Sequence, residues 1–266
     1  MKNKTILEII FFISFIFGNW FYFKSLLANQ ETIEQTDLEN YLKTARIVSV
    51  DKNIEGGRTA PWIIRLDDGK MRLRGIFKHI NRQRPALLPD SYKYEIAAYE
   101  LAKLIAFDLV PAVVEREIKG LKGSLQIYLE NCMAENERKR RNIAPPNPKV
   151  FENILEEIKV FENLVYDECQ NTDDILINKE DWRVWRVDFS EAFSPSPDLI
   201  PGCEISRCSK KFYQNLLKLD DNVLKTKLKP YLNEEEIKAL LERKTLIIEK
   251  IKKLIQEKGE EAVLFS

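Results

Sequence analysis

Histidine is almost absent from this sequence of 266 residues, which contains only His79. Metal centres with two imidazole ligands are therefore excluded. A Ser-His or Cys-His catalytic pair would need His79 as its base. Because His79 directly follows a predicted strand, we expect a partly exposed edge residue there and no catalytic role.

The sequence also has no excess of charge and little cysteine. Its 42 Lys and Arg residues balance its 42 Asp and Glu residues, whereas nucleic-acid-binding proteins usually carry a basic surplus. We therefore expect no nucleic-acid partner. The four cysteines form no CxxC motif, which argues against a structural zinc site. Cys203 and Cys208 are close enough in sequence to pair if the chain is exported.

The only long hydrophobic run lies at the N-terminus. Lys2 and Lys4 precede an apolar stretch that continues to Phe23. Its roughly 15 apolar residues fall short of the ~20 of a typical spanning helix. We predict that residues 1–28 are either a signal peptide or a membrane anchor, which would place the remainder outside the cytoplasm. The polar residues 29–44 are predicted to be a linker.

Residues 45–131 have the pattern of a β-rich lobe with one main helix. Three alternating segments end near Lys78, and Asp68-Gly69 between the last two is typical of a hairpin. Apolar residues at helical spacing follow Asp90 and Ser91, either of which is a suitable N-cap. A second hairpin then ends near Glu130. The predicted order is β-β-β-α-β-β.

Residues 132–266 are predicted to form a mainly helical lobe. The final long helix should begin after Asn233, which forms a capping box with Glu236. Gly259 is a plausible end signal for it. The predicted fold class is therefore α+β, with two lobes.

Three residues of this pattern point to phosphoryl-transfer chemistry. Lys78 ends the third strand, Glu95 lies near the start of the following helix, and Asp188 follows an apolar strand. In kinase-type sites a lysine binds the non-transferred phosphates of ATP, and a helix glutamate holds that lysine. An aspartate at a strand end can hold Mg²⁺ against the phosphates. For Asp188, a simple turn-capping role remains an alternative.

Several runs of the sequence resemble an uncharacterised bacterial family. The fold of that family is similar to the atypical protein-kinase-like fold of HipA-type, phosphoinositide-3/4-kinase-like and secretory-pathway kinases. The likeness covers roughly residues 45–264. It is carried by the runs Arg74–Lys78, Tyr94–Leu101, Leu109–Arg116, Lys122–Gln126, Val160–Tyr166 and Lys258–Leu264. The resemblance implies a bilobal kinase-like protein that binds ATP and Mg²⁺.

The same resemblance implies roles for individual residues. Lys78 would bind the nucleotide phosphates, with Glu95 as the partner that holds it. Gly56 and Gly57 would belong to a short glycine loop of the same nucleotide site. Asp174 and Asp188 would hold metal. Cys169 would stand at the position of the catalytic base, with Gln170 in place of the usual arginine.

These departures from the family pattern suggest impaired catalysis. A thiol is mostly protonated at neutral pH and is a poor substitute for a carboxylate base. Asp167, two residues earlier, is a candidate substitute base. We therefore predict a nucleotide-binding, pseudokinase-type regulator. The alternatives are an active ATP-dependent phosphotransferase, whose acceptor would be an unidentified protein or small molecule, and a scaffold that binds no nucleotide.

Overall fold

The computed structural model describes residues 35–52, 60–82 and 90–266. Residues Glu39–Ser266 form one compact unit. The predicted signal peptide or anchor lies outside the described residues. Among the helices of the described ranges, none is long and apolar enough to cross a membrane.

The N-terminal part contains a five-stranded antiparallel sheet with the strand order β1-β2-β3-β7-β6. Its strands are β1 (Arg46–Asp51), β2 (Trp62–Asp67), β3 (Arg72–Lys78), β6 (Val113–Ile118) and β7 (Leu121–Ile127). Two short strands, β4 (Asn81–Arg82) and β5 (Asp90–Ser91), pair with each other between β3 and the main helix. Helix α2 (Tyr92–Leu104) follows β5.

Helix α1 (Gln35–Thr44) precedes the sheet and occupies the second half of the predicted linker. The sequence pattern did not predict a helix in this stretch. Tyr41 and Leu42 are buried. Their burial gives this helix a packed face that its overall polar composition did not indicate.

The C-terminal part is mainly helical, with a three-stranded sheet β10-β9-β8 beside it. The helices are α3 (Glu135–Arg140), α4 (Pro148–Val165), α5 (Lys210–Lys218), α6 (Asp221–Leu228), α7 (Glu234–Lys258) and α8 (Glu260–Val263). The strands are β8 (Cys132–Ala134), β9 (Ile175–Asn178), β10 (Val184–Arg186), β11 (Cys208–Ser209) and β12 (Leu264–Phe265). β11 and β12 pair in parallel.

Local sequence signals explain the ends of the two helices that matter most for the architecture. The Ser91 side chain caps α2 by accepting a hydrogen bond from the Lys93 N–H. The predicted capping box of α7 is present, with Asn233 and Glu236 bonded reciprocally. Gly259 ends α7 with φ of 86°, a conformation that glycine adopts without steric cost.

Close packing between neighbouring strands fixes the end of β3. Gly123 of β7 lies directly against it, so that a Cβ at this position would sit 2.3 Å from the Lys78 carbonyl oxygen and 2.6 Å from the Phe77 ring. Phe77 is fully buried. Only glycine allows this approach, which sets where Lys78 leaves the sheet.

Candidate active site

Lys78 joins the two parts of the molecule. Its ammonium group lies 2.5 Å from Oε1 of Glu95 on α2 and 2.8 Å from Oδ1 of Asp188, which follows β10. Lys78 is the last residue of β3, and Glu95 lies in the first turn of α2. The structure thus brings together the three residues that the sequence analysis singled out as candidates for phosphoryl transfer.

Burial and charge pairing act against each other in this triad. Burial alone would lower the pKa of Lys78, but the carboxylates of Glu95 and Asp188 raise it well above the ordinary value. Burial raises the pKa of Glu95 although Lys78 opposes the effect. The pKa of Asp188 is also pushed up by burial, yet Lys78 and the Ser190 side chain hold it below its usual range. Lys78 and Asp188 are therefore charged at neutral pH.

The backbone at Asp188 is constrained as well. Its φ is 64°, in the left-handed region that is costly for residues other than glycine. The next residue, Phe189, donates its N–H to Oε2 of Glu95 at 3.2 Å and is fully buried. Strain of this kind persists only where surrounding contacts determine the conformation. Here the Glu95 carboxylate contacts both Lys78 and the backbone beside Asp188.

A fully buried guanidinium, Arg186, organises the carboxyls next to this triad. Its Nε donates to Oε1 of Glu162 at 2.9 Å and its Nη2 to Oδ2 of Asp167 at 2.6 Å. Its Nη1 lies 3.8 Å from Oδ2 of Asp174. The same nitrogen donates to the carbonyl oxygen of Val187. Arg186 therefore links the end of helix α4 to two aspartates.

One guanidinium does not offset the burial of three carboxyls. Desolvation raises the pKa of Glu162 despite the attraction of Arg186. It raises the pKa of both Asp167 and Asp174 to about 7, with repulsion from Asp188 adding to the effect. Near neutral pH these two aspartates are thus close to equal populations of the charged and neutral forms.

The loop between α4 and β9 places both aspartates. Tyr166 ends α4 in the left-handed conformation, and the Asp167 N–H then returns to the Glu162 carbonyl at 3.1 Å. Further along, the Asn171 side chain donates to Oδ2 of Asp174 at 2.7 Å. Asp174 is also tied to β10, because its carbonyl accepts the Val187 N–H.

The carboxyl groups face a common cavity of about 340 Å³. Its walls include Asp167, Asn171, Asp174, Asp188 and Ser190. The Asp188 side chain is 46% exposed, whereas that of Asp167 is only 5% exposed. Asp188 therefore lies at the open side of the cavity and Asp167 at its floor.

Cys169, which the resemblance places at the position of the catalytic base, forms a disulfide. Its sulfur is bonded to that of Cys203, 34 residues later in the chain. A disulfide sulfur has no proton to exchange, so Cys169 cannot serve as a thiol base. The suggested pairing of Cys203 with Cys208 is also wrong, since Cys208 is free and buried. Proximity in sequence was misleading because the fold brings Cys203 against the loop after α4.

The predicted glycine-loop residues, Gly56 and Gly57, lie outside the described residues. Sequence reasoning missed Glu162 and Arg186. A signal existed for each of them. Arg186 occupies the buried phase of β10 together with Val184, and Glu162 lies within a run of buried residues at the end of α4. A charged residue at such a position usually indicates a buried ion pair.

Comparison with solved structures identifies the fold. A hydra Fam20 structure with sugar matches with a TM-score of 0.64 and 16% identity, covering 89% of this chain and 93% of that one. A Golgi casein kinase matches with a TM-score of 0.62 and 14% identity, covering 86% and 78% respectively. The Helicobacter pylori proinflammatory kinase CtkA matches with a TM-score of 0.51 and 10% identity, covering 83% and 98%.

No family model and no curated protein matches the sequence. At identities this low, the structural likeness shows the fold and not the activity. The chain has the atypical kinase-like fold, and the predicted α+β bilobal class is confirmed.

Proposed function

We propose that this kinase-like protein binds ATP with a divalent cation such as Mg²⁺ and transfers the terminal phosphoryl group to an acceptor hydroxyl. The observation that carries the proposal is the convergence of Asp167, Asp174 and Asp188 on one cavity. Beside them, Lys78 pairs with both Glu95 and Asp188. Phosphoryl transfer depends mainly on positioned charges of this kind.

The nucleotide side of the proposed site is the β3 face that carries Lys78. Ile76 lies on that face, because side chains two residues apart along a strand point the same way. Ile63 of β2 is the direct partner of Ile76 in the sheet, and both side chains are only half-buried. We assign these isoleucines to the base of the nucleotide and the Lys78 ammonium to its phosphates.

The charge balance favours a divalent cation. Five carboxyls are clustered here, from Glu95, Glu162, Asp167, Asp174 and Asp188. The cations in direct contact with them are Lys78 and Arg186. Aspartate oxygens are suitable ligands for Mg²⁺. Asp174 and Asp188 would hold the ion, and the ion would neutralise phosphate charge.

Asp167 is the residue we assign as general base. Its carboxyl lines the cavity, and burial raises its pKa to about 7. A base is most effective when its pKa lies near the working pH. Arg186 holds Oδ2, and we assign Oδ1 as the oxygen that accepts the proton of an acceptor hydroxyl. In this assignment the disulfide-bonded Cys169 has no part in proton transfer.

The second candidate is the predicted pseudokinase-type regulator, which binds nucleotide without transferring phosphate. It is favoured by the burial of Asp167 and by its short ion pair with Arg186. A carboxylate held in this way is a weak base toward a substrate when the pair does not open. Gln170 points the same way, because it stands where the resemblance described above implies an arginine.

An extracytoplasmic location and a hydroxyl acceptor of undefined class complete the proposal. Disulfides such as Cys169–Cys203 persist mainly in oxidising compartments, and the N-terminal apolar run is consistent with export. The similar structures include a casein kinase and a Fam20 protein determined with sugar. Protein and sugar hydroxyls are accordingly both candidate acceptors.

Two measurements separate these functions. Calorimetric titration of ATP, with and without Mg²⁺, tests nucleotide binding, with Asp188→Ala as the site variant. The rate of ADP formation tests transfer, with Asp167→Asn as the variant that removes the base. Asp173→Asn is the matched control, because Asp173 is an exposed aspartate of the same loop.

We expect Mg²⁺-dependent binding that is lost in Asp188→Ala and retained in Asp173→Asn. Removal of a general base typically lowers a rate by ~10²–10⁴-fold, which is the loss expected for Asp167→Asn. Binding without any turnover in the wild type would favour the regulator. If millimolar ATP does not bind, both nucleotide functions are excluded and the scaffold alternative remains.

A further inference from the structure

The Cys169–Cys203 disulfide fastens the loop that carries the acidic residues of the site. Cys169 lies between Asp167 and Asp174 in the sequence. Its partner Cys203 belongs to the turn that follows the site and precedes β11. The bond therefore closes a covalent ring that contains Asp174, Arg186 and Asp188.

The Cys203 end of this bond is firmly anchored. Cys203 is 3% exposed. The Asn163 side chain of α4 donates to the Cys203 carbonyl at 3.0 Å and accepts the Ile200 N–H at 3.0 Å. Asn163 is itself fully buried. The disulfide thus connects the loop to a point that is already fixed on helix α4.

The Cys169 end lies in irregular backbone. The loop has turns at residues 169–170 and 172–173, and Gln170 has φ of 50°. The Gln170 N–H donates to Oε2 of Glu162 at 2.8 Å. The following residue, Asn171, holds Asp174 through its side chain. Displacement of Cys169 would therefore be transmitted toward both Asp167 and Asp174.

We propose that the Cys169–Cys203 disulfide is a positioning element for Asp167 and Asp174, so that phosphoryl transfer requires the oxidised protein. The catalytic part of this inference rests on the function proposed above. Because Cys169 is only half-buried, a small dithiol reaches its sulfur more easily than that of Cys203.

Reduction by a dithiol follows ordinary thiol–disulfide exchange. One thiolate of the dithiol attacks Sγ of Cys169, and the Cys203 thiolate leaves and takes up a proton. The second thiolate of the reagent then attacks the reagent sulfur of the mixed disulfide. The Cys169 thiolate leaves and takes up a proton. The reagent loses two electrons and two protons, which the two cysteines gain. Buried Cys208 has a strongly raised pKa and does not compete as a thiolate.

The test compares the full-length chain before and after treatment with dithiothreitol. Free thiols are counted by mass spectrometry, and ADP formation is measured with MgATP. The affinity for ATP is measured by calorimetry with and without Mg²⁺. The Cys169→Ser/Cys203→Ser double variant mimics the reduced state. Cys132→Ser is the matched control, since Cys132 carries a free thiol outside this loop.

We expect reduction to lower the turnover rate about tenfold to 100-fold, the effect of displacing a catalytic group by about 1 Å. Affinity for ATP without Mg²⁺ should change by less than about threefold, because Lys78 and Glu95 lie outside the ring. MgATP affinity should fall, because the loop carries Asp174, a proposed ligand of the ion. The double variant should be slow with and without dithiothreitol. Cys132→Ser should behave as the wild type.

An unchanged turnover rate in protein shown to be fully reduced would overturn the proposal. Loss of MgATP binding together with unfolding would also overturn it, because the bond would then have only a general structural role. Circular dichroism distinguishes that outcome.

Hydrogen exchange tests positioning without any catalytic readout. Reduction should raise amide exchange across residues 168–174 about tenfold or more, while the strand β10 keeps its protection. Unchanged exchange in this loop would refute the positioning role. If the oxidised protein shows neither turnover nor MgATP binding, the proposed function fails, and the exchange result alone then decides whether the disulfide positions the loop.

Discussion

Replacement of Asp174 by asparagine should stabilise the protein at pH 8, and by a smaller amount at pH 5. In the absence of a divalent cation, Asp174 adds a negative charge to a partly buried cluster that already contains Asp167 and Asp188. Burial raises the pKa of its carboxyl from 3.8 to about 7. Asparagine has a similar shape but carries no charge.

The sign follows from proton linkage. Folded protein holds the Asp174 proton more tightly than the unfolded chain, so the free energy of unfolding falls as the pH rises from about 4 to about 7. Below the unfolded pKa both states are protonated and the cost disappears. Each pKa unit corresponds to about 1.4 kcal/mol, which sets a ceiling of about 4 kcal/mol above pH 7. Because the neighbouring carboxyls titrate in a coupled way, the change in the free energy of unfolding is spread over a range of pH.

The expected gain is smaller than this ceiling. The pKa of about 7 already includes the attraction of Arg186, whose nearest atom lies 3.8 Å from Asp174. The Asp174 side chain is partly exposed, however, and solvent screening reduces the cost of its charge. We therefore expect a gain of about 1–2 kcal/mol at pH 8. For a domain of this size, that corresponds to a rise of about 2–6 °C in Tm.

Thermal and urea unfolding with chelator, at pH 5 and pH 8, measure the effect. Asp173→Asn is the control, because it removes the same charge from an exposed neighbour. Added Mg²⁺ should narrow or reverse the pH 8 difference, since the cation stabilises the wild type more than the variant. The reasoning is refuted if Asp174→Asn destabilises the protein at pH 8, or if its effect is equal at both pH values.

Substitutions at three further positions test contacts that stabilise the site and the fold. Arg186→Met should lower the free energy of unfolding by about 3–5 kcal/mol, because buried carboxylates such as Asp167 lose their cation. A loss below about 1 kcal/mol in urea unfolding would contradict this expectation. Arg186→Lys should recover part of the lost stability. Gly123→Ala should cost about 1–3 kcal/mol by overpacking against the Lys78 carbonyl, so an unaltered Tm would argue against that close contact. Asn233→Ala should cost about 1 kcal/mol by removing the cap of α7, and equal thermal stability of variant and wild type would show that the cap is dispensable.

Local patterns in the sequence were sufficient for most of the fold. Alternation of apolar residues and the Asp68-Gly69 turn predicted the strands that end at Lys78, because a half-buried strand has a period of two. Asn233 and Glu236 predicted the start of the longest helix, since capping depends on neighbouring residues alone. The α+β bilobal class followed from the order of these elements.

The same local reasoning located part of the site. Lys78 at a strand end, Glu95 in the first turn of the next helix and Asp188 after an apolar strand are positions fixed by secondary structure. Once the strands and helix are placed, these side chains face the same cleft. The structure brings all three together, although their roles toward a nucleotide remain part of the proposed function.

Only the tertiary structure decided which residues surround that triad. Cys169 is bonded to Cys203 and not left as a thiol, because the chain after the site folds back against helix α4. Asp167 reaches the cavity because Tyr166 turns the backbone into the left-handed conformation. Arg186 pairs with Asp167 and Glu162, which lie 19 and 24 residues away in the sequence. Packing between segments that are distant in the chain determines disulfides, buried ion pairs and the direction of a loop. A local sequence pattern does not predict that packing.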